Sequence, residues 1–139
     1  MGRGVLGGGG VVVAGELVDV IRRDLREIVE LEIKKFLEHY DDCGVVDVLH
    51  IWWHSFDGSY DTIIHGLPCY VNTYSTRLGK VYEIDCSIEY HLDHRLIDKL
   101  LGWVRIVWVG DKCYALADVM DKNIDDVARE IVEKAEVEG

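Results

Sequence analysis

Glutamine is absent from the 139 residues, asparagine occurs only at Asn72 and Asn123, and Pro68 is the single proline. Side-chain amides are scarce while Glu, Lys, Arg, Val and Ile are plentiful, which is the compositional signature of hyperthermophiles. It points to a hyperthermophilic archaeon or an archaeal virus. Basic charge is also in short supply. Fifteen Lys and Arg stand against 26 Asp and Glu, a formal net charge of -11. An acidic surface repels a phosphate backbone at long range, so nucleic acid is disfavoured as a partner. The densest basic groups, Arg22, Arg23, Arg26, Lys34 and Lys35, are interleaved with acids.

Long apolar runs are missing too. None reaches the roughly 18 residues that cross a bilayer, and the Gly7–Gly10 run is a poor signal-peptide core. The expectation is a cytoplasmic protein with no membrane partner. Cys43, Cys69, Cys86 and Cys113 show no C-x-x-C spacing, so no structural zinc site is indicated. No Walker loop and no G-x-S-x-G occur, which leaves nucleotide hydrolysis and serine catalysis without a signature. Gly2 to Gly7 formally matches G-x-G-x-x-G. No strand precedes it and no βαβ unit follows, so it reads as part of a flexible glycine-rich arm over residues 1–14, in which Val11–Val13 could dock as an edge strand or start the next helix. Residues 15–139 read as a single α+β domain.

What is present is strong periodicity. Glu16–Tyr40 reads as a helix about 37 Å long. Leu17, Val18, Ile21, Leu25, Ile28, Val29, Leu31, Ile33, Phe36 and Tyr40 fill an arc of nearly half its cylinder. That is wider than a helix needs to rest on a sheet, so a second contact is expected, with another helix or a second subunit. Val45–Leu92 alternates as a three-strand meander, with turns expected at Asp57-Gly58 and Leu78-Gly79. In that register Val46, Val48, His50, Trp52, His54 and Phe56 share the core face with Ile63, His65, Leu67, Cys69 and Val71. Cys69 then faces Ile88. A slip of two residues in the second turn would set Cys69 opposite Cys86, where a disulfide is geometrically allowed. Buried thiols are the expected state.

His94–Leu101 reads as a short helix, capped by Asp93 and ended by Gly102. Trp103–Val109 and Lys112–Val119 form a hairpin around Gly110-Asp111, and Asn123 opens a last amphipathic helix. The fold class is thus α+β, an antiparallel sheet with element order α-β-β-β-α-β-β-α and helices packed mainly on one face. This order, with the small size and acidity, resembles the type III secretion chaperones. The resemblance implies a dimer that binds unfolded segments of other proteins. It rests on no sequence motif, so no residues are carried over, and the glycine-rich arm has no place in that family.

Three constellations are candidates for function. His50, His54 and His65 could offer imidazoles to zinc or another transition metal. Glu83, Asp85 and Glu89 alternate on the outer face of one strand, where carboxylates could hold magnesium or manganese. Such an alternation is more commonly a solvated strand face. Leu49, Ile51 and Trp53 form an apolar row on the outer face, reinforced by Ile64 and Tyr70. An apolar-aromatic row of this kind is expected to be an interface, the alternative being a second covered core layer. The reading is therefore a non-enzymatic binding or assembly protein, an acidic homodimer with a protein partner and no cofactor. The alternative is a metal-dependent enzyme using the His or the carboxylate cluster.

Overall fold

The computed structural model describes residues 10–91 and 98–138. The chain is α+β. Helix α1 (Gly10–Leu37) leads through a 3₁₀ turn (Glu38–Tyr40) into six strands, and helix α2 (Asp121–Glu138) closes it. The strands are β1 (Gly44–Val45), β2 (Trp53–Ile64), β3 (Leu67–Thr76), β4 (Gly79–His91), β5 (Asp98–Val109) and β6 (Lys112–Val119). They form one sheet in the order β1-β6-β5-β4-β3-β2. Every neighbouring pair is antiparallel except β1 and β6, which run parallel.

Several expectations are corrected. The helix starts at Gly10, so residues 10–14 are helical rather than part of an arm; residues 1–9 lie outside the described part. Between β4 and the final helix, residues 98–101 belong to β5 and not to a helix, while 92–97 lie outside the described residues. The order of described elements is therefore α-β-β-β-β-β-β-α. Gly102 is no helix cap either. It sits inside β5, where α1 crosses the sheet so closely that a Cβ would lie 2.6 Å from the Val29 Cγ1 atom. A glycine inside a strand here serves close approach of another element.

The first hairpin also turns elsewhere. Asp57-Gly58 lies inside β2, and the turn is His65-Gly66, with φ of 49° and 87°. Two successive positive φ values between paired Ile64 and Leu67 define the two-residue hairpin whose twist matches its strands. Asp57 instead marks a register shift between Phe56 and Gly58. Its carboxylate accepts from the hydroxyls of Ser55 (2.9 Å) and Ser75 (2.7 Å) and pairs with the Lys80 ammonium (2.8 Å). These contacts hold Asp57 down to a pKa of about 2. Pro68 causes no register shift, because the β3–β4 ladder begins only at Cys69, one residue later.

The second turn is Arg77-Leu78, closed by Thr76 pairing with Gly79. That is the two-residue slip, and it sets Cys69 directly opposite Cys86. The two form a disulfide, as do Cys43 and Cys113. Neither pair is a pair of thiols, and the second bridge had no signal in the spacing.

Both helices cover one face of the sheet. Phe36 packs with Cys69, Cys86, Val104, Ile106 and Ala115, while Val29 packs with Ile88, Leu101, Ile124 and Val127. Strands β3 to β6 present this face as their alternation predicts. β2 does not. With the turn two residues wide at His65-Gly66, parity along β2 inverts, so Ile64 packs on the core and Ile63 is 75% exposed.

The opposite face has its own small core, Val81, Val107 and Leu116, covered by Val46, Leu49 and Ile51. These last three belong to residues 46–52, which leave β1 at one edge of the sheet and enter β2 at the other. Four strands intervene, about 4.8 Å apart. The segment is thus a strap laid across the outer face, and its alternation reflects contact with that face rather than a strand ladder.

Candidate functional site

The outer face carries the candidate site, in two adjoining parts. The first is apolar. Where the strap joins β2, a groove of about 840 Å³ is lined by His50, Trp52, Trp53, His54, Arg77 and Leu78, among others. Trp52 is 92% exposed and Leu78 81%. Trp53 is 54% exposed and rests against Tyr74, with ring centroids 5.4 Å apart. The strap's alternation turns Leu49 and Ile51 down onto Val81, Val107 and Leu116, which leaves Trp52 pointing out. Its sequence predicts Trp52 in the core, and that is corrected: the strap has its own parity, separate from the meander's.

The second part is polar. Beside Trp53 and Tyr74 the strap roofs a small cavity of about 130 Å³, reaching Glu83 and Arg105. Asn72, Glu83, Asp85 and Arg105 meet there because β3, β4 and β5 place them side by side. The Asn72 amide donates to Glu83 Oε1 (3.1 Å) and to Asp85 Oδ2 (3.0 Å), and the Tyr74 hydroxyl donates to Glu83 (3.2 Å). The Arg105 guanidinium bonds Asp85 and lies 3.7 Å from Glu83. It also sits 5.5 Å from the Trp103 ring centroid, within cation–π range. Burial, then the hydrogen bond and charge of Asp85, raise the Glu83 pKa. Asp85 and Glu83 raise that of Arg105 against the burial that opposes it. Arg105 was not singled out from the sequence. Its signal was its place opposite the alternating acids, visible only once β4 and β5 are paired.

The structure distributes the sequence-predicted residues as follows. Leu49, Ile51 and Trp53 come together. Ile64 does not join them, because it faces α1 and the main core. Tyr70 is on the outer face, paired with Asp85, and exposed. His50 and His54 line the groove, whereas His65 is at the far end of β2. There it stacks on His39 at 3.6 Å and lies 3.4 Å from the Tyr40 hydroxyl. Burial and the neighbouring His39 lower the His65 pKa. Glu83 and Asp85 share one network, while Glu89 lies beyond it, opposite Leu100. Among the described residues no three His, Cys, Asp or Glu side chains are placed to hold a metal ion. Arg105 brings a positive charge to the two carboxylates.

Among the described residues no helix is long and apolar enough to cross a membrane. Comparison with protein-family models, with curated proteins and with solved structures finds no match to this chain.

Proposed function

We propose that the chain is a non-enzymatic binding or assembly protein, an acidic homodimer that receives an apolar segment of a protein partner in the groove beside Trp52. The observation that carries this reading is the exposure of Trp52 and Leu78, at 92% and 81%, on one groove. Contiguous apolar side chains of this size, left in water, mark an interaction site. Tryptophan and tyrosine supply much of the binding energy where such sites are used. Although the whole chain is acidic, no carboxylate lines the groove, and its basic groups are His50, His54 and Arg77. A segment with aromatic residues flanked by carboxylates therefore suits it better than a basic one.

A cytoplasmic setting in a hyperthermophile reconciles the composition with two disulfides, since such organisms keep disulfides inside the cell. The metal-dependent enzyme draws less support. Its histidines lie at opposite ends of β2, two of its carboxylates, Glu83 and Asp85, already share the Arg105 guanidinium, and Glu89 lies apart from them.

The test is an array of short peptides of varied charge and aromatic content. The wild-type protein is expected to retain acidic-aromatic peptides, and the Trp52→Ser/Leu78→Ser variant to lose them. Retention with no preference, or preference unchanged in the variant, refutes the groove as the binding site.

A further inference from the structure

Helix α1 has more apolar surface than its own fold uses. One side rests on the sheet through Val29 and Phe36. A neighbouring side meets α2, where Arg22 and Arg26 pair with Asp125 and Asp121. On the far side from these arginines, Leu17 is 41% exposed, Ile28 56% and Leu31 48%. Neither the sheet nor α2 covers this flank.

We propose that this flank is where two copies of the chain pair, their α1 helices antiparallel about a two-fold axis level with Val29 and Glu30. The inference rests on the homodimer reading above and adds its interface. Stepping 100° per residue, Asp24, Ile28, Leu31 and Lys35 fall in one stripe about 60° wide. Read in either direction the stripe is charge, aliphatic, aliphatic, charge, with opposite signs at its ends. An antiparallel copy therefore sets Ile28 against the partner's Leu31, and Asp24 against the partner's Lys35, twice over. On the outward shoulder, Glu27 meets the partner's Lys34 in the same register. A parallel copy would set Asp24 against Asp24 and Lys35 against Lys35, so charge selects the antiparallel form.

The charges are available for this. Among the described residues Asp24, Glu27 and Lys34 enter no ion pair, and Lys35 only reaches Glu32 at 4.0 Å. Two helices touching over about three turns bury less than the roughly 1,200 Å² of a standard interface. The dimer is accordingly expected to dissociate in the micromolar range.

Sedimentation equilibrium on the full chain, up to about 200 µM, tests the assignment. The wild type should show a reversible dimer. Asp24→Lys and Lys35→Asp should each weaken it at least tenfold, because each places like charges at both ends of the stripe. Mixed in equal amounts, the two variants should recover a heterodimer near wild-type strength, since both end contacts are then attractive. Both positions are exposed, and circular dichroism confirms that the variants fold. A wild-type dimer that both variants retain overturns this interface but leaves the homodimer standing. Weakened variants that fail to recombine overturn the antiparallel register. A wild type that stays monomeric removes the homodimer reading and this inference with it.

Discussion

Reduction of the two disulfides is the perturbation with the largest expected effect on stability. The Cys43–Cys113 bridge closes a loop of 70 residues and the Cys69–Cys86 bridge one of 17. The chain-entropy relation assigns about 4.4 kcal/mol to the first and about 3.1 kcal/mol to the second. The loops are nested, so closing the inner one shortens the outer by that many residues and trims its share by only about 0.2 kcal/mol. Together they contribute about 7 kcal/mol, half or more of the stability of an ordinary domain. Reduction keeps every heavy atom of the core, so no cavity confuses the comparison. The assay is urea unfolding at neutral pH with and without a phosphine reductant. At a slope of about 1.5 kcal/mol/M, losing both bridges should lower the midpoint by more than 3 M or leave the chain unfolded without urea. Thiol titration of the denatured, unreduced protein should find none of the four cysteines free. Paired alanine variants rank the bridges, with Cys43/Cys113 expected to cost about 1 kcal/mol more than Cys69/Cys86. A midpoint shift below 0.5 M on complete reduction, on the order of 1 kcal/mol, would refute the loop-entropy reasoning.

Two further outcomes follow from geometry already described. Gly102→Ala places a methyl 2.6 Å from Val29 Cγ1 and 3.1 Å from the Asp118 carbonyl oxygen. It should cost about 1–3 kcal/mol by thermal melting. Adding Val29→Ala should cost less in that background than in the wild type, which a double-mutant cycle reads directly. For Glu83, the raised folded pKa means the native state holds its proton when the unfolded chain has released it. Stability contributed by this group therefore falls as pH rises through the folded pKa and is not regained above it. Glu83→Gln should flatten that slope in unfolding measurements from pH 4 upwards, and should gain on the wild type toward about pH 8. A variant that loses ground to the wild type as pH rises contradicts the sign.

Strands β3 to β6 were legible because each is buried on one face by helices, so one alternation fixes the facing of every residue. Cys69, Ile84, Cys86, Val104, Ile106 and Ala115 all lie where the pattern puts them. The first hairpin was not, because Asp57-Gly58 and His65-Gly66 both satisfy a two-residue turn. The choice depends on tertiary contacts: Ile64 reaching α1, and Asp57 capped by Ser55, Ser75 and Lys80. Of the residues expected to be helical over 94–101, those described, 98–101, belong to β5, where Leu101 is buried against Val29 and Ile124. Of the candidate site, Leu49, Ile51 and Trp53 lie together on the outer face, with Leu49 and Ile51 turned onto Val81, Val107 and Leu116, while Ile64 lies on the other face. The strap itself could not be read, since residues lying across a sheet alternate as residues in a sheet do. Cys43 and Cys113 are 70 residues apart and meet only because β1 joins β6 at the sheet's edge.

The strap makes the molecule's outer face a separable layer. Among the described residues, 46–52 make one backbone hydrogen bond outside regular structure, from Val46 N–H to the Ala115 carbonyl. The Val46, Leu49 and Ile51 side chains hold them down on Val81, Val107 and Leu116. One end is moored by the Cys43–Cys113 bridge beside β1, the other by the pairing of β2 with β3. Lifting the segment between those moorings breaks no strand ladder and disturbs neither helix. It uncovers Val81, Val107 and Leu116 together with the Glu83–Arg105 cavity. Such an opening is far smaller than global unfolding. Backbone amides of the strap should thus exchange hydrogen by a local route, while those of β4 and β5 wait for the whole sheet to come apart.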